Sequence, residues 1–207
     1  MKIAVLALQG AFIEHEQVLR RLDVETFQVR QLSDWQQSKD GLILPGGEST
    51  VQMRLLSKLG LLEPVRQAII SGLPVFGTCA GMILLSESHL GTMDIRVRRN
   101  AYGRQLGSFY TTGSVEDIGN DVPMTFIRAP YIETVLSDRC KAIATVDGHI
   151  VAARQGNQIA TSFHPELVEQ QNMSSLIGWS VHEENGLCQL NNDFRLHRYF
   201  LDMIHPS

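Results

Sequence analysis

The sequence feature that most constrains the fold of this chain is the segment Gly77-Thr78-Cys79-Ala80-Gly81, which directly follows the apolar run at residues 73–76. Glycine stands two residues before and two residues after the cysteine, where a side chain would obstruct a tight turn. A nucleophile held on a sharp turn between a strand and a helix has this pattern. The segment therefore predicts a buried strand, a strained turn carrying Cys79, and a helix.

A histidine and a carboxylate further along the chain complete a candidate catalytic set. His164 and Glu166 follow the apolar run at residues 158–161, which predicts another strand. If that strand continues, residues two apart point to the same face, so both side chains face the site. Cys79, His164 and Glu166 then supply nucleophile, base and orienting carboxylate. The alternative for the cysteine on its own is an inert, buried side chain.

The composition is that of an ordinary globular protein and argues against several classes of function. Of 207 residues, 43% are hydrophobic and 19% charged, and the net charge of −4 gives no basic surplus for nucleic acid. No segment resembles a membrane span or a signal peptide, so we expect a cytoplasmic protein. Three cysteines without Cys-x-x-Cys spacing, and histidines without a second ligand at metal spacing, lead us to expect neither disulfides nor a metal site.

Short apolar runs alternate with amphipathic stretches in the first half of the chain, as in β-α-β units with a largely parallel sheet. Turn signals multiply after residue 95, and Asp147-Gly148 between two apolar runs predicts a two-residue hairpin. We predict one α/β domain over residues 1–207. The expected strands include residues 2–8, 42–44 and 158–161 and a strand from Val75, and the expected helices are residues 12–22, 49–61, 82–86 and 193–204, with another starting at Pro64.

Further motifs make the chain resemble the class I glutamine amidotransferases, in particular the glutaminase subunits of pyridoxal 5′-phosphate synthases. The resemblance implies a three-layer, flavodoxin-like fold with a mostly parallel central sheet, helices on both faces, and additional antiparallel strands in the second half. The matching motifs are LALQGA at residues 6–11 followed by Glu14-His15, LILPGGEST at residues 42–50, FGTCAG at residues 76–81, RNAYGRQ at residues 99–105, FIRAP at residues 126–130, SFHPEL at residues 162–167 and RLHRYF at residues 195–200.

The same resemblance implies the reaction and its catalytic residues. Cys79 attacks the side-chain amide of L-glutamine and forms a thioester, which releases ammonia, and water then releases L-glutamate. His164 transfers the proton from the thiol to the leaving amine, while Glu166 fixes the imidazole tautomer. Backbone N–H groups are expected to stabilise the developing oxyanion. The candidates for this oxyanion hole are Gly46, Gly47 and Ala80.

The resemblance also implies a glutamine pocket. Its expected residues are Gly47, Glu48, Ser49, Arg99, Ile127 and Arg128. Arginine suits the α-carboxylate of the substrate because its planar guanidinium pairs with two oxygens at once. The ordinary alternatives are a turn capped by Ser49 or a phosphate cradle for the glycine segment, and plain surface charge for the two arginines.

A partner, but no cofactor, follows from the resemblance. The chain has no second catalytic domain, so we expect its ammonia to pass to a separate, ring-forming synthase subunit that builds pyridoxal 5′-phosphate from ribose 5-phosphate and glyceraldehyde 3-phosphate. Members of the family work poorly alone, so we expect glutaminase activity to rise when the synthase binds. Neither nucleic acid nor a membrane is an expected partner.

Two positions depart from the family pattern. Residues 168–192 form an unusual insertion before the final helix, and Arg98 stands where relatives usually have a glutamate. We expect the insertion to be peripheral and to leave catalysis intact. Two rival functions stay open, namely the glutaminase subunit of another amidotransferase and a catalytically silent scaffold. An esterase-like or peptidase use of the cysteine turn leaves the PGGEST segment unexplained.

Overall fold

The computed structural model describes residues 1–99, 108–167 and 193–204. In these ranges, β-α units come first and strands dominate after residue 85. The strands are β1 (Lys2–Leu6), β2 (Glu25–Val29), β3 (Gly41–Leu44), β4 (Val75–Thr78), β5 (Ile95–Arg98), β6 (Ser108–Val115), β7 (Gly119–Ile127), β8 (Tyr131–Val135), β9 (Lys141–Val146), β10 (His149–Gln155) and β11 (Gln158–Thr161). The helices are α1 (Phe12–Arg21), α2 (Leu32–Trp35), α3 (Ser49–Lys58), α4 (Leu62–Ile70), α5 (Ala80–Leu85) and α6 (Arg195–Ile204).

Nine of the described strands form one mixed sheet. Its order is β2-β1-β3-β4-β11-β10-β8-β5, and β9 also pairs with β10. The pairs from β2 to β11 are parallel, whereas those beyond β11 are antiparallel. Strands β6 and β7 form a separate antiparallel ribbon. The predicted α/β class, with its parallel sheet and later antiparallel strands, is confirmed.

Helices cover both faces of this sheet because its central strands are buried on both sides. In β1, Ala4 and Leu6 pack into one core while Ile3 and Val5 pack into the other, which is the two-residue period of a strand. Helices α2 to α5 contribute side chains to the first core. Helices α1 and α6 and the β6-β7 ribbon contribute to the second. This arrangement confirms the expected three layers.

The structure shifts several predicted boundaries. Strand β1 ends at Leu6 rather than residue 8, and α6 begins at Arg195 rather than residue 193. The helix expected over residues 49–61 ends at Lys58, because Gly60 adopts a left-handed φ of 68° after α3, and the next helix begins at Leu62 rather than Pro64. The predicted hairpin is confirmed, since both turn residues at 147 and 148 have positive φ between β9 and β10.

Some expectations fall outside what the structure describes or tests. The insertion predicted at residues 168–192 lies outside the described residues, and the single domain over residues 1–207 stays a prediction. No helix in the described ranges is long and apolar enough to span a membrane. In the same ranges, no group of three or more His, Cys, Asp or Glu side chains has an arrangement that could hold a metal ion.

Candidate active site

Cys79 lies between the end of β4 and the start of α5, in a backbone conformation that its neighbours enforce. Its φ of 48° and ψ of −100° are unusual for a residue with a side chain. A Cβ at Gly81 would lie 1.9 Å from the Leu44 carbonyl oxygen, and one at Gly77 would lie 2.7 Å from the Gly81 oxygen. The Cys79 N–H donates to the Thr161 carbonyl at 2.7 Å. The two glycines thus allow β4, α5 and β3 to pack closely around the turn.

His164 and Glu166 lie in a turn, so the strand expected over residues 158–161 is confirmed and does not continue as far as these residues. The strand ends at Thr161, and Pro165, between the two side chains, has no N–H for a strand ladder. The turn nevertheless brings them together, because His164 Nδ1 lies 2.7 Å from Glu166 Oε1 and donates to it. The His164 side chain also hydrogen-bonds to Cys79. The three side chains therefore form one continuous cluster.

Burial and charge set the protonation of this cluster. Cys79, His164 and Glu166 are all buried. Burial by itself lowers the pKa of His164, but the Glu166 carboxylate and the Cys79 sulfur outweigh it and raise this pKa well above its ordinary value. Burial by itself raises the pKa of Glu166, yet His15 and His164 lower it to about 2. The site therefore favours a protonated His164 imidazole beside the Cys79 sulfur.

A cavity of about 580 Å³ opens over Cys79 and His164. Its volume is typical of small-molecule sites. Glu166 and Ala80 are absent from the cavity lining, and the buried Glu166 instead supports His164 from behind. Every residue predicted to bind glutamine lines the cavity: Gly47, Glu48, Ser49, Arg99, Ile127 and Arg128.

The polar groups of the cavity suit a ligand that carries both charges of an amino acid. The Ser49 hydroxyl is buried and has no hydrogen-bond partner among the described residues. Arg99 donates to Glu48 Oε1 at 3.0 Å and to Thr50 Oγ1 at 3.2 Å, and both charged side chains are exposed. Arg128 follows β7 with a φ of 44°. The cavity lining thus contains the unpaired Ser49 hydroxyl, together with the exposed positive charge of Arg99 and the exposed negative charge of Glu48.

The three oxyanion-hole candidates differ in geometry. The Gly46 N–H donates to Thr78 Oγ1 at 3.0 Å, so the prediction of this group as an oxyanion donor does not fit the structure. Gly46 has another role, because a Cβ there would lie 2.2 Å from His164 Cε1. Ala80 is the first residue of α5, and its N–H has no partner within the helix. Gly47 and Ala80 are the donors that remain.

Sequence reasoning missed Gln52, which ties together two loops of the site. Its side-chain nitrogen donates to the carbonyl oxygens of Gln9 at 2.8 Å and Pro45 at 3.1 Å. Gln52 is fully buried, one turn before the equally buried Leu56 of α3. A polar residue on the buried stripe of an amphipathic helix is the signal that identifies such a position.

Two further histidines were also missed, and both lie behind Glu166. His15 Nε2 is 3.4 Å from Glu166 Oε2 and 3.1 Å from Thr78 Oγ1. His15 Nδ1 is 3.0 Å from His197 Nε2. Both rings are fully buried and contact the Phe76 ring edge-on. No local pattern predicts this pair, because its members come from the first and last helices.

Comparison with known proteins places the chain among amidotransferases. The family model described as the SNO glutamine amidotransferase family matches residues 5–183. The chain is 51% identical to the pyridoxal 5′-phosphate synthase subunit PdxT of Streptococcus pneumoniae strain CGSP14, over 98% of this chain and 97% of that protein. It is 52% identical to the PdxT subunit of Methanocorpusculum labreanum, over 99% of this chain and 98% of that protein.

Solved structures agree with this assignment. A crystal structure of a glutamine amidotransferase superposes with a TM-score of 0.81 at 36% identity, covering 98% of each chain. A glutamine amidotransferase from Thermotoga maritima superposes with a TM-score of 0.61 at 13% identity, over 99% of this chain and 98% of that one, which supports the fold alone. The class I glutamine amidotransferase-like fold is confirmed, and the chain belongs to the SNO glutamine amidotransferase family.

Proposed function

We propose that this chain hydrolyses L-glutamine to L-glutamate and ammonia at Cys79, as the glutaminase subunit of a pyridoxal 5′-phosphate synthase. The observation that carries the proposal is the buried cluster at the base of the cavity. In this cluster Glu166 accepts a hydrogen bond from His164, and the His164 side chain hydrogen-bonds to Cys79. The names of the relatives, which are subunits of pyridoxal 5′-phosphate synthase at about half identity, supply the identity of the complex.

In the first half of the reaction, the Cys79 thiolate attacks the carboxamide carbon of glutamine. The carbonyl π electrons move to the oxygen, and the N–H groups of Gly47 and Ala80 stabilise the resulting oxyanion. When the carbonyl re-forms, the carbon–nitrogen bond breaks and protonated His164 donates its proton to the leaving nitrogen. Ammonia departs, and a γ-glutamyl thioester remains on Cys79.

In the second half, water replaces ammonia opposite His164. The neutral imidazole accepts a proton as the water oxygen attacks the thioester carbon, and the same donors stabilise a second oxyanion. Collapse of this intermediate breaks the carbon–sulfur bond, so glutamate forms and the thiolate returns beside a protonated His164. The balance is one glutamine and one water consumed for one glutamate and one ammonia formed.

The partner in this proposal is a ring-forming synthase subunit that consumes the ammonia to build pyridoxal 5′-phosphate. Free ammonia is largely protonated in neutral water, so direct transfer through a docked complex keeps it nucleophilic. The proposal includes a cytoplasmic location, because a reducing compartment keeps Cys79 as a thiol. No cofactor is needed for amide hydrolysis by these groups.

The test measures glutamate release from glutamine by the purified chain, by itself and with the matching synthase subunit. We expect release to rise when the synthase is present and to fall by at least about 10⁴-fold in Cys79→Ala, which lacks the nucleophile. Cys140→Ala is the matched control, since this buried cysteine does not line the cavity, and burial raises the pKa of its thiol to about 11.

Three results would count against the proposal. Equal turnover with and without the synthase contradicts activation by the partner. No turnover in a complex that has formed favours a silent scaffold. Stable association with a synthase of another pathway, and transfer of ammonia to it, indicates a different amidotransferase.

A further inference from the structure

Behind the catalytic cluster, Glu166 presents a second carboxylate oxygen that the proposed mechanism does not use. Oε1 accepts from His164, whereas Oε2 is buried and accepts no hydrogen bond from the described residues. An unsatisfied carboxylate oxygen in a closed interior is costly. The group that faces it is His15 Nε2, at 3.4 Å. The state of His15 therefore bears on how firmly Glu166 is held.

The contacts of His15 allow two arrangements of its proton. In the first, Thr78 donates to His15 Nε2 and His15 Nδ1 donates to His197. A lone pair of His15 then faces the Glu166 carboxylate, and the His197 Nδ1–H is a buried donor, although that atom has no partner among the described residues. Both consequences are unfavourable.

The second arrangement removes both problems. His197 Nε2–H donates to His15 Nδ1, and His15 Nε2–H donates to Thr78 Oγ1 at 3.1 Å, with Glu166 Oε2 lying 3.4 Å from the same nitrogen. Thr78 Oγ1 already accepts from the Gly46 N–H, which is compatible with accepting again. A lone pair of His197 and the Thr78 O–H stay unpaired, but the hydroxyl hydrogen can rotate, whereas the unpaired His197 N–H of the first arrangement is fixed in the ring plane. These contacts favour the tautomer in which the His15 N–H, rather than a lone pair, faces Glu166.

We propose that His15 and His197 are positioning residues for the glutaminase reaction, in which His197 orients His15 and the His15 Nε2–H, 3.4 Å from Glu166 Oε2, attracts that oxygen and so restrains the carboxylate plane. The inference rests on the proposed function, because it concerns the orientation of His164 through Glu166. A carboxylate that accepts a hydrogen bond at Oε1 and faces an N–H group at Oε2 rotates less readily away from His164 Nδ1, so the imidazole stays aligned with Cys79.

The charges of the buried groups are consistent with this role. Burial lowers the pKa of His15, an effect that Glu166 opposes and His164 reinforces. Burial also lowers the pKa of His197 to about 3, with a further lowering by His15. Both rings are therefore neutral near pH 7. A neutral donor orients Glu166 without cancelling the negative charge that stabilises protonated His164.

The experiment compares His15→Gln, which keeps an N–H near the position of Nε2, with His15→Leu, which has similar bulk and no donor. Turnover is measured in the complex with the synthase subunit. We expect His15→Leu to lower kcat about 10- to 100-fold with little change in the KM for glutamine, and His15→Gln to retain most of kcat. His149→Leu is the matched control, because His149 stacks on Tyr131 and does not line the cavity.

A second readout does not depend on turnover. The rate of Cys79 alkylation by iodoacetamide, followed by mass spectrometry of its peptide across a pH series, reports the thiolate. We expect this rate near pH 7 to fall several-fold in His15→Leu and to be retained in His15→Gln. Thermal midpoints of each variant separate this effect from a loss of folding.

If His15→Leu does not fold, the pair His197→Gln and His197→Leu tests the same chain of contacts, and only the leucine variant should lose kcat. Equal losses in a glutamine and leucine pair, or wild-type kcat and alkylation in a folded leucine variant, would overturn the proposal. A wild-type complex that releases no glutamate would refute the glutaminase function instead, while the alkylation comparison would still decide the positioning role.

Discussion

The parallel and antiparallel strands of this protein contribute different kinds of residue to the cavity. Cys79, His164 and Glu166 follow the parallel strands β4 and β11, and all three are buried. Arg99 and Arg128 follow the antiparallel strands β5 and β7, and both are exposed. The carboxyl ends of parallel strands in an α/β sheet are the usual place for a reaction site.

The difference indicates how rigidly each part of the site is held. Backbone packing leaves no room for a Cβ at Gly77 or Gly81, so the nucleophile turn has one geometry. Arg99 is held by exposed polar contacts with Glu48 and Thr50, and such contacts contribute little free energy. The reacting groups are thus fixed before substrate binds, whereas the recognition groups can adjust to it.

The largest expected effect comes from disturbing the fixed part. Gly81→Ala places a Cβ 1.9 Å from a backbone oxygen, so we expect loss of glutaminase activity and destabilisation of about 3 kcal/mol or more. Chemical denaturation and turnover measure both effects. Gly148→Ala is the control, because that glycine has a φ of 77° but open space around it. We expect this variant to be destabilised by about 1 kcal/mol and to keep its turnover unchanged. Similar behaviour of the two variants would contradict the packing argument.

The next effect separates a buried carboxylate from an exposed one. Glu166→Gln keeps the shape of the side chain but not its charge, so His164 loses its orientation and kcat should fall about 10²- to 10⁴-fold. Glu48→Gln alters the exposed contact with Arg99, and we expect a change mainly in the KM for glutamine. Steady-state kinetics with the synthase present distinguish these outcomes. If kcat fell more in Glu48→Gln than in Glu166→Gln, the distinction between the buried and the exposed carboxylate would be contradicted.

A smaller effect is expected for the recognition arginine. Arg99→Ala removes a group that lines the cavity, so the KM for glutamine should rise about 10-fold while kcat stays within about 3-fold. Stability should change by less than about 1 kcal/mol, because the ion pair with Glu48 is exposed. Kinetics and thermal denaturation of one preparation give both values. A stability loss above that limit would show that Arg99 belongs to the rigid part.

The smallest effect is a pH dependence of stability that arises behind the triad. The pKa of His197 is lowered to about 3, so its contribution is complete above its ordinary value of 6.5 and is lost as pH falls toward 3. Between pH 6.5 and 5 this one proton accounts for at most about 2 kcal/mol. Glu166, with a pKa of about 2 against an ordinary 4.5, loses its contribution only below pH 4.5.

His15 and His164 also change the unfolding free energy over this pH range. The lowered pKa of His15 adds a loss of the same sign, whereas the raised pKa of His164 gives a contribution that is complete below 6.5. Urea denaturation from pH 7 to 5 should therefore show a shallower decline of the unfolding free energy in His197→Leu than in the wild type. Parallel curves for the two proteins would contradict this assignment.

The sequence was sufficient to predict features that depend on local patterns. The two-residue period of β1, the glycines around Cys79 and the turn at residues 147–148 follow from steric rules that act within a few residues, and the structure agrees with each. The predicted glutamine-binding residues were carried over from a family resemblance, and they meet at one cavity.

Local patterns could not predict contacts that only tertiary packing creates. Whether β11 ends at Thr161 or continues to Glu166 depends on how the turn packs against β4, which a strand period does not specify. The hydrogen bond from the Gly46 N–H to Thr78 Oγ1 joins a loop to the end of β4, 32 residues away in sequence. His15 and His197 contact each other although they are 182 residues apart in sequence, so no spacing rule could pair them.

The position of His197 on α6 gives the final helix a significance during synthesis of the chain. A ribosome adds Cys79, His164 and Glu166 to the chain before it adds α6, so a partly made chain already contains every side chain that reacts. If His197 acts as proposed, such a chain lacks the histidine that orients His15 behind Glu166. The product of a premature stop codon before residue 197 lacks it too. Docking of α6 would then be the step that completes the support of Glu166 and allows efficient ammonia production.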